Sequence, residues 1–166
     1  MKASTKVILL AVIAIAWIAL DQLTKSVFAG MQPGESLGLI LGGLVDLRLV
    51  HNTGAAWGIF AGATGLLGAF SIVVVCVLVG YIIWDRESAN LAQVVGAALV
   101  AAGGIGNVID RFSQGYVTDF LAVTFVDFPV FNVADIGVTC GVVVLFIGFA
   151  LEWRKESARS GQEETS

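Results

Sequence analysis

The sequence is short of almost everything a water-facing surface needs. Of its 166 residues, only 13% are Asp, Glu, Lys or Arg, against about 25% in soluble domains. It has one histidine, His51, which excludes any multi-histidine metal centre. It has two cysteines, Cys76 and Cys140, both in the middle of apolar runs with no CxxC or Cys/His neighbour. That excludes a zinc site of the usual spacing and predicts two buried free thiols. The nine lysines and arginines are scattered and the net charge is −4, so no basic footprint for nucleic acid is present. Phosphate-loop and dinucleotide fingerprints are also missing. "GGIGN" (103–107) is glycine-rich but lies inside an apolar run, where close helix packing is its expected use.

Apolar residues are what the chain has in excess. They make up 57% of it, and the mean hydropathy is +0.90. Crossing the hydrocarbon core takes about 20 apolar residues in a helix. The uncharged runs predict four such helices, at about 7–28, 63–84, 90–110 and 135–152, in an all-α membrane protein of one domain, residues 1–152. The remainder, 153–166, reads as a solvated, disordered tail. The N-terminus has the outline of a signal peptide. It lacks a clear small-x-small cleavage site and runs straight into "DQLTK", so a retained first helix is expected.

Lysine and arginine concentrate on the cytoplasmic side of membrane proteins. Lys2, Lys6, Arg86, Arg154, Lys155 and Arg159 all fall on one side of this topology, so both termini are expected in the cytoplasm. Lys25, Arg48 and Arg111 fall near the opposite side, each beside an acid. The longest outer segment, about 29–62, contains a small β-region at about 35–60. In "GLVDLRLVHN" (43–52), Val45, Leu47 and Leu49 alternate with Asp46 and Arg48, the period of a strand. "LGLIL" (37–41) precedes it across Gly42-Gly43, a tight hairpin. "DFLAVTFVDFP" (119–129) is short and amphipathic and fits an interfacial segment, as helix or strand.

The polar residues gather on the outer side: Asp21 and Lys25 at the end of the first helix, Asn52 after the strand, Asn107, Asp110 and Arg111 at the end of the third, then Asp119, Asn132 and Asp135. The inner half receives almost nothing polar. An ionisable group at membrane depth costs about 2.5–3.5 kcal/mol and needs a partner or a purpose. Asp21 and Lys25 are spaced to pair along one helix face, a structural role. Asp135 suits the first turn of a helix, and Asp127 suits the surface. Asp119 has apolar neighbours on both sides and no such explanation. If Asp119 and Asp135 approach closely, both cannot ionise. One can then act as base on a water while the other, protonated, donates to a scissile carbonyl. A Ser-His-Asp triad lacks its G-x-S-x-G elbow, and Lys25 and Ser26 do not face one another on a helix. Chemistry alone leaves three readings open: an aspartyl hydrolase, a small proton-coupled transporter using intramembrane acids, and a structural membrane protein.

"DQLTK" (21–25), "NTGAAWG" (52–58), "GGIGNVIDRFSQGYVTDF" (103–120) and "FNVAD" (131–135) occur in the order and spacing of the bacterial lipoprotein signal peptidases, signal peptidase II. The chain resembles that family over about residues 7–152. The resemblance implies an intramembrane-type aspartyl endopeptidase with four helices, both termini cytoplasmic and an outer β-cradle. Such an enzyme sits in the bacterial inner membrane and cuts diacylglyceryl-modified prolipoproteins before the lipidated cysteine. It implies catalytic roles for Asp119 and Asp135, and a polar shell of Asn52, Gly54, Asn107, Arg111 and Asn132. Asp21, Lys25 and Asp110 are supporting residues, and no metal or organic cofactor is implied. A globomycin-type inhibitor is expected to occupy the same pocket. Gly54, Gly103 and Gly104 are expected to lie close to the small residue before the cleaved bond. Arg111 is expected to bind carbonyls instead of pairing tightly with the acids. Two departures stand out: Trp57, where the family often has Phe, and a short 120–134 connection with few polar residues.

Overall fold

The structure, a computed structural model, describes residues 1–55 and 59–163, with side chains to residue 158. Trp57 lies outside the described residues. Four helices, α1 (Ala3–Ser26), α2 (Thr64–Trp84), α3 (Leu91–Gln114) and α4 (Val133–Glu163), are joined by three strands, β1 (Ser36–Ile40), β2 (Val45–Asn52) and β3 (Val117–Val123). All four helices are long and apolar enough to cross a membrane.

The third helix is the axis of the bundle, and its composition explains why. Its mean hydropathy is 1.7, against 2.2 to 2.8 for the other three, and it is rich in Ala and Gly. Small residues suit a helix buried in protein, since they let backbones approach closely. At Gly96, an added Cβ would lie 2.7 Å from the Gly141 carbonyl of α4; at Gly141, it would lie 2.8 Å from the Gly96 carbonyl of α3. The other helices turn large apolar side chains outward, such as Ile15, Phe70 and Phe146, at 66–70% exposed. That is the surface lipid requires.

Helix α3 starts with a capping box. Asn90 accepts from the Gln93 N–H, and Gln93 accepts in return from the Asn90 N–H. Gln93 also donates to Glu152 of α4, and Asn90 Nδ2 donates to the Gly148 carbonyl at 2.7 Å. Lys6 closes this end by donating to the Glu87 carbonyl at 2.8 Å. The end of the bundle expected to face inward therefore holds a polar network, where the sequence reading expected almost nothing polar. Its members are amides and long side chains whose polar tips meet only in three dimensions.

Helix α4 runs on to Glu163, well past the expected end at 152. The extension, "EWRKESARSGQE", has no proline and is rich in Glu, Lys, Arg and Ala, all good helix formers, so the disordered tail expected from residue 153 is replaced by helix over that stretch. Cys76 and Cys140 are exposed, not buried. A helix with only one buried face turns small apolar residues outward as readily as inward.

The strands form one antiparallel sheet in the order β1-β2-β3. The β1–β2 link is a short 3-10 turn in which Leu41, Gly42 and Gly43 all have positive φ. The ambiguous segment 119–129 is strand as far as Val123 and irregular loop from there to Pro129. Residues 117–123 form β3, and the loop after it folds back so that Phe131 pairs with Leu121. The pairing of β2 with β3 runs Leu47↔Leu121, then Val50↔Asp119 and Asn52↔Val117. Three residues of β2 thus match two of β3, which is a bulge. Side chains alternate faces with period two, so the extra residue moves Asn52, in place of His51, onto the face that carries Asp119. His51 instead stacks on Tyr116, with ring centroids 3.8 Å apart. Below the other face, Phe28 at the end of α1 stacks on Phe120 at 4.5 Å and packs with buried Leu49.

Candidate active site

Three short structural devices bring the polar residues at the β-sheet end of the bundle together. The first is the α3–β3 turn. Gly115 caps α3 in the left-handed conformation, and Asp110 Oδ2 accepts the Thr118 N–H at 3.0 Å. The backbone is thereby held one residue before Asp119. The second is the start of α4, where Asn132 is the capping residue and Asp135 its partner in the first turn. Asn132 Oδ1 accepts from the Asp135 N–H at 3.0 Å, and Asp135 Oδ2 accepts from the Asn132 N–H at 3.1 Å. This is the reciprocal bonding of a capping box, with Asp in the place of Glu. The third is the β2 bulge, which aims Asn52.

Four N–H donors result, one for each carboxylate oxygen. Asp119 Oδ2 accepts from Asn52 Nδ2 at 2.9 Å, and Asp119 Oδ1 from Asn132 Nδ2 at 2.7 Å. Asp135 Oδ1 accepts from Asn107 Nδ2 at 2.8 Å, and Asp135 Oδ2 from the Asn132 backbone. Asn132 thus binds both acids, one through its side chain and one through its main chain. It is fully buried, and Asp119 is 2% exposed. Burial pushes the Asp119 carboxyl up to about 7, with the nearby Asp135 charge acting in the same direction and the Asn52 hydrogen bond opposing it.

Behind these residues is a buried ion cluster. Lys25 Nζ lies 2.8 Å from Asp21 Oδ2 and 3.0 Å from Asp110 Oδ2, and donates to Asn107 Oδ1 at 3.1 Å. The expected Asp21–Lys25 pair along α1 is present, and Asp110 joins it. Gln22, which lies between Asp21 and Lys25 in the "DQLTK" block, ties Asp21 to Asp110 through its amide at 3.1 and 3.2 Å.

Both acids open onto one cavity of about 520 Å³. Asn52, Asn107 and Arg111 share its polar wall, and Phe128, Phe131 and Ile136 are among its apolar lining. Arg111 donates through Nη2 to the Gly54 carbonyl at 3.4 Å, while its buried Nε has no hydrogen-bond partner among the described residues. Gly54 is needed for its turn, since an added Cβ would lie 2.8 Å from the Ile59 carbonyl. Gly103 and Gly104 do not line the cavity. Gly103 packs on Ala134 and Val138 of α4, and Gly104 faces Val75 of α2. Their expected contact with substrate is replaced by helix packing, because their side of α3 faces the neighbouring helices.

Comparison with known proteins agrees with this architecture. The profile of the family described as signal peptidase (SPase) II matches residues 13–151. A lipoprotein signal peptidase from Rhodococcus jostii is 38% identical over 95% of this chain and 80% of its own length. One from Gloeobacter violaceus is 43% identical over 81% of this chain and 78% of its own. A solved structure described as a bacterial membrane enzyme superposes with a TM-score of 0.77 at 34% identity, covering 86% of this chain and 88% of that one. With four membrane-spanning helices and a matching profile over most of its length, this chain belongs to the signal peptidase II family, and is a peptidase of that family.

Proposed function

We propose that the chain is an aspartyl endopeptidase that removes the signal peptide from diacylglyceryl-modified prolipoproteins, cutting before the lipidated cysteine. The observation that carries this reading is the placement of Asp119 and Asp135 on one cavity with Asn132 bound to both. Two adjacent carboxyl groups share one proton, since like charges at close range oppose double ionisation. In the reactive form that proton is on Asp119, whose carboxyl burial raises to about 7, while the two acids titrate as one pair. Asp135 takes a proton from water as its oxygen attacks the scissile carbonyl, and Asp119 donates to the carbonyl oxygen. Collapse of the tetrahedral diol breaks the C–N bond and passes a proton to the leaving amine. No covalent enzyme intermediate forms.

The remaining residues bind substrate. Arg111 Nε, buried and without a partner among the described residues, donates to a peptide carbonyl of the bound signal sequence. Leaving such a carbonyl unpaired would cost about 1–3 kcal/mol. The apolar wall of the cavity suits the signal helix, and the diacylglycerol chains stay in lipid, at about 0.8 kcal/mol per buried CH₂. The distribution of Lys and Arg supports a cytoplasmic location for both termini and an outer position for the site, in the bacterial inner membrane.

The test is cleavage of a diacylated precursor peptide by detergent-solubilised enzyme, with no proton gradient. Asp119→Asn and Asp135→Asn should each abolish turnover in protein that remains folded, and globomycin should compete with substrate. Cleavage that survives both substitutions removes the acid pair from the mechanism. Activity that requires sealed vesicles and a gradient would favour the transporter reading.

A further inference from the structure

Trp17, Asp21 and Lys25 follow one another at intervals of four along α1 and so share one face of it. Each addresses one of three successive residues at the start of α4. Trp17 Nε1 donates to the Val133 carbonyl at 3.1 Å. Asp21 Oδ1 accepts the Ala134 N–H at 2.9 Å. Lys25 reaches Asp135 through one intermediate: its ammonium holds Asn107 Oδ1, and Asn107 Nδ2 donates to Asp135 Oδ1.

We propose that this row is a positioning rack for Asp135, in which Trp17 is a positioning residue of the peptidase. The proposal rests on Asp135 being one of the two reacting acids. An apolar side chain at position 17 could fill the same space, but only a donor fixes the rotation of the α4 turn through the Val133 carbonyl. The opposite helix makes room for it. A Cβ on Gly137, one turn into α4, would collide with the Trp17 indole nitrogen and lie 2.9 Å from its Cδ1. Asp21 is fully buried and divides its oxygens, Oδ2 taking Lys25 and Oδ1 taking the α4 backbone. The ion cluster thus has a direct grip on the residue before Asp135. Misplacing a reacting group by about 1 Å can cost about a hundredfold in rate, so a smaller tilt of this turn has a measurable effect.

Trp17→Phe keeps an aromatic ring and removes the donor. In the precursor-peptide assay it should lower kcat about tenfold with KM within about twofold, a fraction of the loss a full 1 Å displacement causes. Gly137→Ala, which crowds the indole from the α4 side, should give the same kcat-specific loss and serves where Trp17→Phe fails to fold. A lower unfolding temperature with unchanged kcat per folded molecule would assign Trp17 to stability alone and overturn the rack. Unchanged kcat in both folded variants would do so as well. Asp119→Asn and Asp135→Asn run in parallel separate the two levels. If they still cleave, the acid pair itself is wrong; if they are inactive while Trp17→Phe is normal, only the rack fails.

Discussion

Lys25 holds Asn107 by its oxygen. The ammonium donates to Asn107 Oδ1 at 3.1 Å, and because lysine has donors only, that end of the amide cannot be reversed without breaking the contact. The NH₂ end is thereby kept toward Asp135. Asn107→Leu removes these two contacts, and the bond Asn132 Nδ2 donates to Asn107 Oδ1 at 2.9 Å, at similar volume. A hydrogen bond to a charged group contributes about 1.5–3 kcal/mol, equivalent to about ten- to hundredfold in kcat. Steady-state kcat on the diacylated peptide checks this; a variant as active as the parent would mean Asp135 needs no donor from α3.

Asp110 serves structure more than chemistry. It is 1% exposed and accepts from Gln22, Lys25 and the Thr118 backbone. Asp110→Ala leaves Lys25 with one acid in place of two and frees a buried N–H in β3. Breaking a buried pair by removing one partner costs about 3–5 kcal/mol. Thermal unfolding in detergent should show a clearly lowered midpoint. An unchanged midpoint would mean the cluster is hydrated enough to tolerate the loss.

Asp127 is the control among the acids at the β-sheet end of the bundle. It is exposed and lies outside the four-donor network around Asp119 and Asp135. Surface substitutions of this kind usually stay within about 0.5 kcal/mol, so Asp127→Asn should keep cleavage near the parent rate. A large loss in that assay would show that the acids have been wrongly paired.

The four helices were legible because a membrane span is a composition signal about 20 residues long. The two acids were legible because Asp119 has apolar neighbours and Asp135 begins a helix. What the sequence hid depends on register and reach. Alternation over 43–52 places Leu47, Leu49 and His51 together, and only the β2 bulge, unmarked in sequence, moves Asn52 to the face of Asp119. Residues 119–129 were ambiguous because a strand buried on both faces shows no clean alternation, and β3, which covers the first five of them, is mostly buried. Gly103 looked like a substrate contact for being small, yet its smallness serves the approach of α4. Trp17 carried no local signal, and the cross-helix bonds of Gln22 and Gln93 are not marked by their neighbours in sequence. Their roles come from hydrogen bonds spanning from 59 to 116 residues of sequence.

Rate should also depend on pH in a direction the site dictates. Asp119 has a carboxyl raised to about 7, first by burial and then by Asp135. A raised carboxyl keeps its proton at lower pH and loses it as pH rises through that value. The singly protonated pair, which needs one acid and one base, is therefore lost on the alkaline side, and kcat/KM should fall as pH climbs past about 7. Because the two carboxyls are coupled, that limb reports the pair and not one residue. Asn52 supplies the test, since its hydrogen bond favours the ionised form and holds the value down. Asn52→Leu removes that donor, so the alkaline limb should move to higher pH even as the maximal rate drops. A limb that stays in place, or moves to lower pH, would show that the alkaline loss does not come from the Asp119–Asp135 pair.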